Sequence, residues 1–457
     1  MANFEFVFAG VQTKSFRLYL DLLAMRKEDF RIRIACVFSI CAAMAIIIEF
    51  GLWRMTRSNV GKESASVARS APAGRRLTNV MSETAELHAM ENEIARFMGR
   101  WDIRGMQLAV VRNDSLLYSK GFGWADVEQK RTMEPYNIMR IASASKLVTA
   151  IGIMKLVEQG KLTLDTPVFG PNGVLNDRSY TDAMCNPVME TITVDHLLLH
   201  EGGFGLGAGD PMFNTKDIIE AKNLKAPPTD EELVKIVLGR KLAFTPGYGR
   251  RYSNFGYKLL SMVIEKVSGQ KYWDFMKSEV LNPAGCYDFR PATNYYTDRM
   301  ADEVRYYGPD SVKVEEYNGS KRMVDRVYGG SNVNGLAGAG GWLTSATDLA
   351  RLVSAIDKNP RRPDVISSSS VDKLTEHAED EKRARGWVDC TAEGRWTRTG
   401  TLSSTHAVIE RFPNGDCWVI LTNTGVWTGH RFNRDLSRLI ENLRGRYASS
   451  FPKRDLF

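Results

Sequence analysis

The sequence predicts an α/β (α+β) protein: one discontinuous α/β domain with an all-α insertion, preceded by one N-terminal transmembrane helix. Three observations predict it. Strand-like runs lie at both ends of the folded part and flank a middle of helix and loop. A twenty-residue apolar run, Ile34 to Trp53, has Glu49 as its only charged member and is long enough to cross a bilayer. Ser143-Ala144-Ser145-Lys146 opens a helical segment and sets a hydroxyl and an amine three residues apart on one face.

In chain order, residues 1–33 read as a cytoplasmic segment, 34–53 as a transmembrane signal anchor and 54–80 as a flexible linker rich in Ser, Ala, Gly and Arg. Residues 1–76 hold 12 Lys/Arg and 6 Asp/Glu, so 12 − 6 = +6 of the net charge of +7 surrounds the apolar run. That location points to a membrane as the partner of this end and argues against nucleic acid. No small-x-small cleavage site follows the run, so an uncleaved anchor is expected, with the rest of the chain outside the cytoplasm (periplasmic). A reporter fused after Phe457 that works only in the cytosol would overturn this topology. Starting the chain at Met25 would give a more ordinary anchor.

The folded domain is expected over 81–450, with 81–160 and 335–450 as the α/β part and 161–334 as the helical part. A helix is predicted from Ser82 to about Trp101, then strands at Met106–Arg112 and Leu116–Gly123 around the Asn113-Asp114 turn. The helix opening at Ser143 runs to Gln159, stopped by Gly160, with Leu147, Ile151 and Met154 as its buried stripe. Helices follow at Val194–His200, Asp230–Leu238, Phe255–Ser268 and Tyr272–Val280. After Gly335 come a helix at Ala346–Ile356, strands at Ala384–Cys390, Arg395–Gly400, His406–Phe412 and Cys417–Asn423, and a closing helix at Arg434–Arg444.

Six cysteines include no C-x-x-C, which argues against structural zinc; Cys390 and Cys417 fall on neighbouring predicted strands, where either unpaired thiols or a disulfide fit. His196 and His200, four apart, fit either a core role or a metal pair, the former being expected. Glycines 335–341 lack the strand-GxGxxG-helix setting of a nucleotide site, and read as tight backbone packing. The charge run from Glu376 to Arg385 reads as a solvated helix end. No cofactor is expected.

A Ser-x-x-Lys alone is weak, since Ser268…Lys271 and Ser370…Lys373 repeat it. Here it is followed by Tyr252-Ser253-Asn254 and then by Arg398-Thr399-Gly400, running into Thr401. That ordered set resembles the signature of penicillin-recognising serine enzymes, specifically the class C β-lactamase and D,D-peptidase family. Flanking segments, among them Leu156-Val-Glu-Gln-Gly-Lys-Leu162, Ile192–His200 and Gly340–Ser345, are similar in order, over roughly residues 85 to 445. The resemblance implies an antiparallel sheet flanked by helices, with the active site in the cleft beside the helical part.

It also implies roles. Ser143 is the expected nucleophile, Lys146 holds or accepts its proton, Tyr252 is a second proton carrier and Asn254 orients Lys146 and the substrate amide. Backbone N–H groups of Ser143 and Thr401 are the expected oxyanion hole. The first residue of the triplet departs from the family's Lys or His. Arg398 keeps the charge and adds a planar fork, so a small-molecule or peptide substrate with a free carboxylate is expected, contacted by Arg398, Thr399, Gly400 and Thr401. The expected activity is D,D-peptidase or β-lactamase-like amide hydrolysis. A carboxylesterase, or a non-catalytic β-lactam or peptidoglycan binder, fits the same motifs.

Overall fold

Seven antiparallel strands form a central sheet with helices on both faces. The structure is a computed structural model and describes residues 76–457 except 206–208, 310–311 and 377–383. The expected cytoplasmic segment, the anchor at 34–53 and most of the linker lie outside the described residues, among which no helix is long and apolar enough to cross a membrane.

Helix α1 (His88–Trp101) begins six residues later than the sequence suggests, behind two 3₁₀ turns at Asn79–Ser82 and Ala85–Leu87. Ser82 does not cap a helix: its Oγ donates to the Ser119 carbonyl (2.7 Å) and accepts from the Ser119 N–H (2.9 Å), tying the segment to a strand. Strands β1 (Gly105–Arg112) and β2 (Ser115–Asp126) form the expected hairpin. Asn113 and Asp114 at its turn have φ of 46° and 61°, the double left-handed geometry that matches strand twist. Two short strands, β3 (Arg131–Thr132) and β4 (Met139–Arg140), lead to helix α2 (Ser145–Glu158).

Leu147, Ile151 and Met154 are buried in α2, and so are Val148, Ala150 and Ile153 on its other sides. A helix that is apolar all round is an internal one. Its polar members are satisfied: Thr149 bonds the Gly338 carbonyl and the Tyr272 hydroxyl, and Ser145 Oγ accepts from the Trp342 N–H.

The middle contains α3 (Arg178–Ala183), α4 (Val194–Leu198), α5 (Thr215–Ala221), α6 (Asp230–Leu238), α7 (Asn254–Ser268) and α8 (Tyr272–Met276). It is not all-α. Strand β5 (Arg290–Pro291) lies within it, and β6 (Lys313–Glu315) pairs with β7 (Met323–Asp325) as a ribbon. Strand β8 (Trp342–Thr344) sits between β4 and β5 in a small second sheet. Strands of two or three residues carry too few alternations to register as a period.

Helices α9 (Ala346–Ser354) and α10 (Ser368–Thr375) precede β9 (Asp389–Cys390), β10 (Trp396–Leu402), β11 (Thr405–Arg411), β12 (Asp416–Thr422) and helix α11 (Phe432–Tyr447). The main sheet runs β3-β2-β1-β12-β11-β10-β9, so the two ends of the folded chain meet at β1 and β12. Alternation sorts its residues: Ala109, Val111, Ile409, Val419 and Leu421 join the core around α2, while Leu108, Val110, Val408, Trp418 and Ile420 pack with α1 and α11.

Two further expectations change, and of the two readings of Cys390 and Cys417 the structure bears out the unpaired thiols. The strand expected at Ala384–Cys390 shrinks to two residues, because Gly386, at φ +83°, turns its N–H to the Tyr257 hydroxyl (3.0 Å). Arg385 is no solvated helix end; it is buried and bonds both carboxylate oxygens of Asp195, at 2.6 and 2.9 Å. Cys390 and Cys417 are free and buried, on β9 and β12 with β10 and β11 between them. Three strand spacings, about 14 Å, far exceed the reach of a disulfide.

Candidate active site

The chain reaches Ser143 through a backbone that glycine would favour but alanine supplies. Ala142 lies at φ 49° within the 3₁₀ turn Ala142–Ala144, immediately ahead of α2. A left-handed non-glycine residue costs roughly 1–2 kcal/mol and persists where surroundings enforce it. Here they do: the turn lies against Gly400 on β10, where an added Cβ would overlap the Ile141 carbonyl oxygen and stand 3.0 Å from the amide nitrogens of Ser143 and Ala144.

Tyr252 and Lys146 converge on the hydroxyl that this turn presents, with Asn254 behind Lys146. Ser143 Oγ is 2.6 Å from the Tyr252 hydroxyl and 3.4 Å from Lys146 Nζ. Lys146, fully buried, donates to Asn254 Oδ1 at 2.7 Å and to the Ala339 carbonyl at 2.6 Å. Its third position faces Ser143, an N–H in the ammonium and a lone pair in the neutral amine. Burial lowers the Lys146 amine, Tyr252 draws it back up and Arg398 pushes it down again, leaving it at about 8. Burial opposes ionisation of the Tyr252 phenol, but Lys146 and Arg398 outweigh it and hold the group below its ordinary value. Tyr252 is 43% exposed as a residue, while its hydroxyl is the end that meets Ser143.

Lys146 and Tyr252 thus form a pair in which loss of one proton leaves a group able to accept the Ser143 proton. The other two Ser-x-x-Lys copies do nothing comparable: Ser370 donates to Glu158, and Ser268 Oγ accepts from the Gln270 N–H.

The triplet strand divides its duties by alternation. Arg398 and Gly400 face the nucleophile's turn; Thr397 and Thr401 face the other way, to Glu410 and Asn433 (2.8 and 3.0 Å). Thr399 shares that second face and is half-buried. The Thr397 carbonyl accepts from Val388 on the β9 side, so the backbone groups of Thr399 and Thr401, two and four residues on, also point to that edge. Beyond Thr397 no residue of the short β9 pairs with that edge, and the Ser143 turn lies over the adjoining Arg398/Gly400 face. The Arg398 guanidinium is buried, and its Nε (2.8 Å) and Nη2 both donate to the Ser143 carbonyl. The fork expected to grip a substrate carboxylate is engaged with the nucleophile's own backbone instead.

Two further residues complete the site: Asp210, which sequence reading did not single out, and His200, which it read as a core histidine or half of a metal pair. Asp210 accepts from Asn254 Nδ2 at 2.6 Å. His200, left-handed at φ 64°, packs on Tyr252 with ring centroids 4.5 Å apart and planes tilted by 40°, and accepts the Ser253 N–H at Nδ1. Burial, then the charges of Lys146, Arg398 and Arg250, hold it far below the usual imidazole value, so it is neutral. His196 caps its own helix through Thr193, and no metal-holding group of three ligands occurs among the described residues. Only the HLLLH segment signalled His200; nothing in the sequence signalled Asp210.

Known proteins share this plan. The Beta-lactamase family model matches residues 90–432. Penicillin-binding protein 4* of Bacillus subtilis (strain 168) is 29% identical over 268 residues, 58% of this chain and 54% of that protein. Esterase EstB of Burkholderia gladioli is 31% identical over 277 residues, 56% and 66% of the two chains. The chain thus matches about half to two thirds of the length of these relatives. The D-amino acid amidase of Ochrobactrum anthropi SV3 superposes with a TM-score of 0.60 at 19% identity, over 79% of this chain and 99% of that one, a likeness of fold. The chain belongs to the β-lactamase family.

Proposed function

We propose that the protein is a membrane-anchored serine amidohydrolase that acylates on Ser143 and cleaves D,D-peptide-like or β-lactam amide bonds outside the cytoplasm. One observation carries it: Ser143 Oγ lies 2.6 Å from Tyr252, beside an amine that Asn254 and Ala339 fix in place. Ser143 attacks the carbonyl as its proton passes to the Lys146/Tyr252 pair. The N–H groups of Ser143 and Thr401 take the oxyanion, the leaving amine takes the proton, and water repeats the cycle in reverse. The basic residues around 34–53 support the anchor.

Intact-mass measurement of the full chain after incubation with a penicillin, beside Ser143→Ala, tests the reading. A drug-mass adduct is expected on the wild type alone, and its decay rate separates lactamase from peptidase or binder. A second reading, a carboxylesterase, is favoured by the engagement of Arg398, which leaves the expected carboxylate grip unfilled, and by the similarity to an esterase. No adduct together with rapid Ser143-dependent ester cleavage would establish that reading instead.

The Arg398 geometry makes its own prediction. Arg398→Ala should lower kcat/KM by about tenfold to a hundredfold, the worth of charge-assisted bonds to the Ser143 carbonyl. The loss should be equal for carboxylate-bearing and neutral substrates. A KM increase confined to carboxylate substrates would restore the carboxylate-binding role.

A further inference from the structure

The side-chain chain Ser143–Lys146–Asn254 does not end at Asn254. Its amide is buried, with Oδ1 toward Lys146 and Nδ2 toward the Asp210 carboxylate. Rotating that amide by half a turn would set an N–H₂ against the Lys146 amine and an oxygen against a carboxylate, so Asp210 decides which way it points. Asp210 is itself held. Its Oδ1 accepts from the Met212 N–H at 3.0 Å, and its carbonyl accepts from Phe213 and Asn214 at 2.9 and 3.1 Å. Gly209 ahead of it needs φ +78°, where a Cβ would overlap the Asn214 amide. The turn thus fixes one carboxylate oxygen and leaves the other aimed at Asn254.

We propose that Asp210 is a positioning residue that fixes the Asn254 amide, and through it Lys146, for proton transfer at Ser143. The assignment rests on the acylation reading above and extends it. The charged and titratable groups around Lys146 are Tyr252, Tyr257, His200, Arg398 and Asp210, with Arg250 acting on His200. Tyr257 and His200 are neutral, bonded to the Leu198 carbonyl and the Ser253 N–H. Among the described residues Asp210 is the carboxylate that acts on the Lys146 amine, and it favours the protonated form.

Asp210→Asn separates positioning from turn-making. An asparagine that keeps its oxygen on Met212 must turn its N–H₂ toward the Asn254 N–H₂, donor against donor. Asp210→Ser, which keeps a turn acceptor but cannot reach Asn254, guards against misfolding of the first variant. The measurement is the rate of Ser143 acylation in the full chain, followed by intact mass across pH, with an activated ester probe and a penicillin. Both variants are expected to acylate about a hundredfold more slowly at the plateau. The ascending limb should move to lower pH by about half a unit, because removing a nearby negative charge eases loss of the proton that the Lys146/Tyr252 pair must shed. An unmoved limb with a lowered Tm would reduce Asp210 to a turn residue and overturn the assignment. An unmoved limb with a raised KM only for amine-bearing substrates would make it a substrate contact and overturn it as well. Absence of acylation in the wild type would sink the acylation reading and this assignment together.

Discussion

Lys146→Met is expected to cut acylation of Ser143 by a thousandfold or more while shifting Tm by no more than a few degrees. The two effects separate because Lys146 is a fully buried amine whose environment disfavours its charge. Its value falls from the ordinary 10.5 to about 8, so at pH 7 the native state holds the ammonium against roughly 3 kcal/mol that the unfolded chain does not bear. The sign follows from proton counts: between the two values the unfolded chain binds more protons, so stability rises with pH through that window. Methionine removes the cost and fills a similar volume, but it leaves Asn254 Oδ1 and the Ala339 carbonyl without their donor, at about 1–3 kcal/mol each. These terms nearly cancel. Catalysis has no such compensation, because the variant keeps Tyr252 but loses the cation that holds its phenol low and the amine facing Ser143. In the wild type the acylation rate should climb with pH to a midpoint near 8. Single-turnover rates with thermal melts check both halves. A Tm loss above 10 °C would show that Lys146 stabilises the core, and retained acylation would remove it from the proton path.

The four residues around Ser143 were legible because each belongs to a short motif whose internal spacing survives folding. Ser143 and Lys146 are one turn apart, and Asn254 opens the helix that Ser253 caps through the Gly256 N–H. Arg398 was legible as a cation on the triplet strand, but the target of its fork was not. Alternation places it on the face of Gly400 without saying whether solvent, substrate or the Ser143 carbonyl waits there. Asp210 was invisible for a different reason: it lies in a loop without period, 44 residues before its partner, and only the turn at Gly209 aims it. The separation of Cys390 and Cys417 is of another kind: β9 to β12 follow one another across the sheet in chain order, so the two strands between them in the sequence also stand between them in space. Local chemistry was thus readable where residues within one turn of a helix carry it, and unreadable where a long-range approach does.

Gly400→Ala should lose both stability and activity, for one geometric cause. The glycine is where β10 meets the nucleophile's turn, and its conformation is not the reason for it; the reason is space. A methyl there would overlap the Ile141 carbonyl oxygen and press on the amides of Ser143 and Ala144 at 3.0 Å. The atoms in the way are backbone, which cannot rotate aside as a side chain would. Either β10 or the turn must retreat, and overpacking of that kind costs typically 1–3 kcal/mol. The retreat also parts the two amides proposed for the oxyanion hole, since Ser143 lies in the turn and Thr401 adjoins the glycine on the strand. Losing one aligned donor costs about a hundredfold to a thousandfold in kcat, so activity should suffer far more than stability. Gly99→Ala is the control: that helical glycine has nothing within 4 Å of an added methyl and should gain about 0.5–1 kcal/mol with unchanged turnover. KM should be nearly unchanged in Gly400→Ala, because an oxyanion donor acts on the transition state more than on bound substrate. A variant with wild-type kcat and only a lowered Tm would show that strand and turn can part without disturbing the reacting carbonyl, and the second donor would then have to be sought away from Thr401.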